Sequence, residues 1–320
     1  MNIAIFTSGG DCAGMNPAIK TFVEECYTRD ITPYLIYDGL EGLIDDNIKK
    51  ASHCDVSGII YRGGTILRSS RSKRFFEKEY RARAYENLRS KGIEKLIVLG
   101  GDGSFRALDI FYHDFGIDFI GIPSTIDNDI YGTDYCLGVD TALNVIRQAI
   151  DDIRDTASSF KRAFVIETMG RECGYLALVS ALTCGAEVCI IPELEFNLQT
   201  LGARLKDDVK KGRNYAIAIT AEGSNMSEKI EAWFENEIGL ESRITKLGHI
   251  QRGGNPSVFD RLIASEFIIN ALDQLSKMSN NHHTIVYKNG SFDFIDIDTV
   301  SSGTYTIKPE LLKMGQALCR

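Results

Sequence analysis

Short apolar runs that end in glycine or proline recur along the chain, and most are followed by a segment whose apolar residues recur at helical spacing. Residues 2–7 (NIAIFT) read as a strand and 8–14 (SGGDCAG) as a tight loop; a helix then runs to about residue 27, with Asn16 as its cap and Pro17 in the first helical position. A second strand is expected at the start of 31–43, and 56–75 reads as a Ser/Gly-rich loop with a Gly-Gly turn and four arginines, Arg62, Arg68, Arg71 and Arg74. Residues 75–92 predict an amphipathic helix stopped by Gly92, and 94–111 repeat the opening theme of strand, glycine loop and a helix from about Ser104. FIGIP (119–123) then reads as a buried strand closed by proline.

The rhythm continues with a helix over 137–159, a strand ending at Glu167 with the turn MGR behind it, a strand over 187–193, a helix over 198–212 and a strand ending at Glu222. A helix and its exit are expected over 229–243, a loop over 244–256, an amphipathic helix over 258–277, a hairpin around Asn289 and Gly290, and a last helix in the tail. Such alternation predicts an α/β protein with mainly parallel sheets, in which ligands collect at the carboxyl ends of the strands. With 320 residues and no low-complexity linker, two domains are expected, with a crossing near Gly138 and more than one exchange of the chain.

That frame singles out PSTIDNDIYGTD (123–134), which emerges at a strand end and carries Asp127, Asp129 and Asp134. In an extended segment Asp127 and Asp129 point to one side, where two carboxylates repel unless a cation or a substrate proton offsets them. An Asx-rich surface turn explains the same residues, so at this level both readings stand. GGDG (100–103) is more specific: Asp102, held between Gly101 and Gly103 at a strand end, is placed to reach a magnesium ion bridging phosphate oxygens. The loop arginines suit polyphosphate, with a solvated basic face as the competing account. His249 and Arg252 flank Gln251 as a phosphate clamp does, although a structural histidine explains His249 as well; Met169 reads equally as core filler.

Composition narrows the classes. A net charge of −8 argues against a nucleic-acid backbone as partner. The eight cysteines contain no CxxC pair, so reduced thiols in a cytoplasm are expected rather than a zinc ribbon or a disulfide framework. The opening strand lacks the basic start of a signal peptide and no apolar run reaches membrane-spanning length, so a soluble cytoplasmic protein is expected.

TSGGD (7–11), RGGT (62–65), GGDGS (100–104), PSTIDND (123–129), MGR (169–171) and LGHIQRGG (247–254), in that order, resemble the bacterial-type ATP-dependent 6-phosphofructokinase family. The resemblance runs nearly the whole chain. It implies two similar three-layer domains with the active site in the cleft between them: 1–137 with 252–301 as the larger, ATP-binding domain, and 138–251 with 302–320 as the smaller, fructose 6-phosphate-binding domain. It implies transfer of the ATP γ-phosphoryl group to the sugar's 1-hydroxyl, with Mg2+, in a homotetramer whose subunits share active sites.

Carried over by position, Asp127 is the base, supported by Thr125 and Asp129, and Arg171 stabilises the charge in transfer. Gly10, Gly101, Asp102, Gly103 and Ser104 cradle the nucleotide phosphates beside Arg71 and Ser72, and Asp102 is the magnesium-linked carboxylate. Arg162, Arg243, His249 and Arg252 form the 6-phosphate clamp, with Arg162 and Arg243 arriving from the neighbouring subunit, while Met169, Gly170 and Glu222 hold the sugar. Asp134 is left as structural.

Pyrophosphate-using relatives carry an acid where this chain has Gly103 and a lysine where it has Ser124, so ATP is the expected donor. Ser124 also departs from the glycine common in ATP users. An effector pocket for ADP or phosphoenolpyruvate would use Lys20, Arg154, Glu187, Lys211 and Arg213, but Glu24, His53 and Gly58 break its pattern, and a weakened or altered response is expected. The alternatives are a pyrophosphate-dependent phosphofructokinase and a silent regulatory subunit; the latter should have lost an acid, yet Asp102, Asp127 and Asp129 all stand.

Overall fold

The computed structural model describes residues 1–277 and 280–319, so the last residue of the expected smaller domain, Arg320, lies outside the described residues. The chain forms two compact units: Met1–Thr125, Ile130–Thr141 and Arg252–Tyr305 make the first, and Ile126–Asp129, Ala142–Gln251 and the segment from Thr306 make the second.

The first unit holds β1 (Asn2–Thr7), β2 (Thr32–Ile36), β3 (Ile48–Lys50), β4 (Ile93–Gly100) and β5 (Asp118–Pro123). The second holds β6 (Ala163–Thr168), β7 (Val188–Ile190), β8 (Ala216–Ala221) and β9 (Ser242–Lys246), and the first is completed by β10 (His282–Lys288) and β11 (Ser291–Asp296). The seven-stranded sheet runs β11-β10-β5-β4-β1-β2-β3, antiparallel only at the edge pairs β10–β11 and β2–β3. The four-stranded sheet runs β7-β8-β6-β9 and is parallel throughout.

Parallel strands buried on both faces need near-continuous apolar runs, and β4 and β8 have them. In the first unit Leu96, Val98, Phe105, Phe111 and Phe119 pack in one core; in the second Val165, Ala216, Ala218, Trp233 and Phe234 do so. Each sheet has a point where neighbouring strands send their connections in opposite directions, β1 against β4 and β6 against β8, the place where such folds bind ligands.

Several boundaries differ from those expected. The first long helix, Met15–Thr28, is preceded by Gly14 in the cap position, and buried Asn16 is not its cap. Its amide instead donates to the carbonyls of Arg62 (3.0 Å) and Gly63 (3.1 Å) and accepts from Ile66 N–H (2.7 Å), tying down the arginine loop. The helix after β4 begins at Asp102, not Ser104. The expected helix over 229–243 ends at Trp233 and passes through a π turn, Phe234–Ile238, before β9, whose pattern SRITK shows no clear apolar alternation and whose strand state comes from pairing with β6. Short helices Gly39–Ile44 and Ile297–Ser302 and strand β3 also escape the sequence reading.

Buried Asp260 holds the start of helix Val139–Phe160, accepting from the backbone N–H of Gly138 and Thr141 (both 2.8 Å) and from the Thr141 hydroxyl (2.6 Å). Burial raises its carboxyl pKa, and these hydrogen bonds work the other way. No helix among the described residues is long and apolar enough to cross a membrane.

Candidate active site

In the first unit, the loops after β1 and β4 meet at the switch point. Ser8 N–H donates to Leu99 carbonyl (2.9 Å), and the buried hydroxyl of Ser104 donates to that of Ser8 (2.8 Å). Asp102 opens helix Asp102–Phe115, whose N-terminus favours an anion. Its carboxylate pairs with Arg106 (2.8 Å) and accepts from the Ser301 hydroxyl (3.1 Å), with 37% of the side chain exposed. A β-carbon on Gly101 or Gly103 would meet no atom within 4 Å, so the backbone is open to an approaching group at both positions.

A cavity of about 390 Å³ beside this loop is lined by Gly9, Gly10, Asp11, Arg68, Arg71 and Arg252, among others. Arg252 lies so close over Gly10 that a β-carbon there would sit 2.2 Å from Nη1. The buried Arg252 Nε has no hydrogen-bond partner among the described residues. Ser72 is buried away from that lining, and its hydroxyl accepts from Phe75 N–H (3.1 Å). The Ser124 hydroxyl is also buried and donates back to Ile122 carbonyl (2.9 Å). Thr125, half-buried, is the last residue before the chain enters the second unit.

In the second unit the carboxylates are not carried on an extended segment. The chain turns, with Asn128 in the left-handed region (φ 54), and both acids still face one cation: Arg171 Nε is 3.3 Å from Asp127 and Nη1 is 3.9 Å from Asp129. Asp127 is buried, while Arg171 is 59% exposed on its side chain. One guanidinium between two carboxylates offsets their repulsion. Arg171 is itself left-handed (φ 52), and its N–H donates to Glu222 (2.8 Å), as does that of Gly170 (3.2 Å). A β-carbon on Gly223 would lie 2.0 Å from the Arg171 carbonyl, so the turn after β6 is seated on the end of β8. Two non-glycine residues in strained backbone within one site indicate geometry held by its surroundings.

Gln251, which the sequence reading used only as a spacer, is buried; it accepts from Met169 N–H (3.2 Å) and donates to Gly248 carbonyl (3.0 Å). His249 is exposed in the short helix Gly248–Arg252, so it is not a core histidine. Met169 is only partly buried. Arg162 and Arg243 are joined through Glu241, a residue the sequence reading passed over. Asp134 accepts from Asn289 N–H (2.9 Å), beside the β10–β11 hairpin turn.

The phosphofructokinase family profile matches residues 2–275. The chain belongs to that family. It is 59% identical to the ATP-dependent 6-phosphofructokinase of Sulfurimonas denitrificans, over 97% of this chain and 98% of that one, and 51% identical to that of Wolinella succinogenes, over 99% of each. Among solved structures, phosphofructokinase from Saccharomyces cerevisiae superimposes with a TM-score of 0.91 at 30% identity, covering 99% of this chain and 48% of the longer yeast chain.

The positions expected to serve an effector are already engaged within this chain. Lys20 pairs with Glu24, and Arg213 pairs with Glu187 and lies 3.6 Å from Asp208. Lys211 pairs with Asp207 (2.5 Å), Arg154 donates to Cys184 carbonyl, and His53 stacks on Tyr27 at 4.4 Å. Gly58 is left-handed (φ 67), with open space where a side chain would stand. No disulfide joins the cysteines; Cys54 is exposed and Cys184 partly so, while the other six are buried.

Proposed function

We propose that this chain transfers the γ-phosphoryl group of ATP to the 1-hydroxyl of fructose 6-phosphate, giving fructose 1,6-bisphosphate and ADP. The observation that carries the reading is the pairing of buried Asp127 with exposed Arg171 at 3.3 Å, in a chain of the phosphofructokinase family. Asp127 takes the proton of the sugar 1-hydroxyl, Asp129 and Thr125 orient it, and Arg171 moves with the charge that shifts onto the transferring group. Glu222, Met169 and Gly170 position the sugar, and Arg162, Arg243, His249 and Arg252 hold its 6-phosphate.

Gly10, Arg71, Gly101, Gly103 and Ser104 receive the nucleotide phosphates, helped by the N-terminus of the helix at Asp102. Ser72 keeps the Arg71 loop in shape through Phe75. Among the described residues no three His, Cys, Asp or Glu side chains are grouped to hold a metal on their own. That fits Mg2+, which keeps several waters and binds through one or two carboxylates plus substrate phosphates, so Asp102 is the residue that would hold it. When bound, it neutralises charge on the phosphate oxygens. The smaller unit then serves fructose 6-phosphate and the larger one ATP, and the assembly is a cytoplasmic homotetramer with shared sites. Supplying ATP or pyrophosphate in turn with fructose 6-phosphate tests the reading. Turnover with ATP and Mg2+ supports it, and turnover with pyrophosphate alone refutes it.

A further inference from the structure

Glu241 stands just before β9, the strand that pairs with β6, and its backbone carbonyl accepts from Ala163 N–H (2.8 Å), the residue after Arg162. Its carboxylate is divided between two arginines: one oxygen takes Arg162 Nε (2.8 Å) and the other takes Arg243 Nη2. Each guanidinium is also held elsewhere, and Arg243 Nη1 lies 3.9 Å from Glu235. Arg162 lies over the Phe160 ring, 5.0 Å from its centroid, and Arg243 Nη1 donates to Ser242 carbonyl (2.7 Å).

We infer that Glu241 is a positioning residue that holds Arg162 and Arg243 as a preformed pair for a phosphate dianion. The inference rests on the reading of those two arginines as phosphate ligands. Two adjacent guanidiniums repel each other, and long side chains lose much of their freedom on fixing; a shared carboxylate relieves both costs before the ligand arrives. It spends only one N–H of each fork, Nε of Arg162 and Nη2 of Arg243, which leaves Nη1 and Nη2 of Arg162 for phosphate oxygens. With Glu235 beside Arg243, two arginines face two carboxylates, and it is the uncommitted N–H groups of Arg162, rather than a net charge, that offer phosphate oxygens a partner.

The experiment compares Glu241→Gln, Glu241→Asp, Arg162→Ala and Arg243→Ala in the full-length chain, measuring kcat and KM for fructose 6-phosphate. The brace predicts that Glu241→Gln raises KM about three- to tenfold with kcat within about twofold, as for lost ground-state positioning by exposed ion pairs. Glu241→Asp, reaching one arginine, should fall between wild type and Glu241→Gln, a gradation that a merely structural role would not give. If both arginine variants raise KM while Glu241→Gln leaves it unchanged or lowers it, the brace is wrong and Glu241 competes with the phosphate. If neither arginine variant moves KM, the phosphate reading of the arginines fails and the brace with it.

Discussion

A β-carbon on Gly10 would lie 2.2 Å from Nη1 of Arg252, so the absence of a side chain at 10 is what seats that guanidinium in the cavity shared with Arg71. The two residues are far apart in sequence, one in the loop after β1 and the other at the end of the short helix Gly248–Arg252. Gly10→Ala should therefore displace Arg252 and raise KM for fructose 6-phosphate about tenfold or more. Because this effect on the sugar phosphate passes through Arg252, adding Gly10→Ala to Arg252→Ala should raise KM for fructose 6-phosphate little beyond Arg252→Ala alone. Additive losses in that double-variant cycle would break the link.

Replacing Asp127 by Ser removes the proposed base while leaving Asp129 beside Arg171. Turnover should fall by about two to four orders of magnitude, the range for a lost general base, with KM for either substrate changed only modestly. Steady-state kinetics with ATP decides this, and near-normal kcat would remove Asp127 from the chemistry.

Gly103 faces open space, so an aspartate there should fold and yet place a carboxylate where nucleotide phosphate is expected. Gly103→Asp should lower kcat/KM for ATP at least about a hundredfold through like-charge repulsion and lost volume. Thermal melting reads the fold independently. Retained ATP turnover would show that the nucleotide does not approach this loop.

The pairing of Lys20 with Glu24 puts an anion beside a residue expected to meet an effector phosphate. ADP or phosphoenolpyruvate should then shift the fructose 6-phosphate half-saturation by less than about twofold, since the coupling energy needs differential contacts at that site. A sigmoidal curve relieved by ADP would contradict it.

Burial pushes the thiols of Cys12, Cys26 and Cys173 up from an ordinary 9.0 to about 12. In the unfolded chain they ionise at the ordinary value, so above about pH 9 the folded state binds more protons than the unfolded one and stability falls as pH rises. Denaturant melts should show little contribution from these thiols below pH 9 and a progressive loss from pH 9 toward 12, smaller in Cys12→Ala. At pH 8, a thiol reagent should modify exposed Cys54 first, and Cys54→Ser should remove that phase.

The strand, glycine-loop, helix order and the motifs GGDG, TIDND and MGR were legible because each is local: a strand end, its loop and the next helix start occupy consecutive residues, and apolar periodicity marks the strand. The α/β class follows from the same alternation. Where sequence reasoning failed, it met positions whose state is set from elsewhere. Strand β9 carries charged residues and is a strand because β6 pairs with it, and Asn16 left the cap position because the carbonyls of Arg62 and Gly63 claim its amide.

Local pattern thus located most of the elements, the acids at the strand ends and the family to which they point. The pairings came with folding: Arg171 between Asp127 and Asp129, Glu222 under the Met-Gly-Arg turn, Arg252 over Gly10, Asp260 on a helix start, and Glu241 between two arginines. Spacing along a chain carries the period of a helix or strand, but it carries no record of which distant side chain meets it once sheets bring strands together.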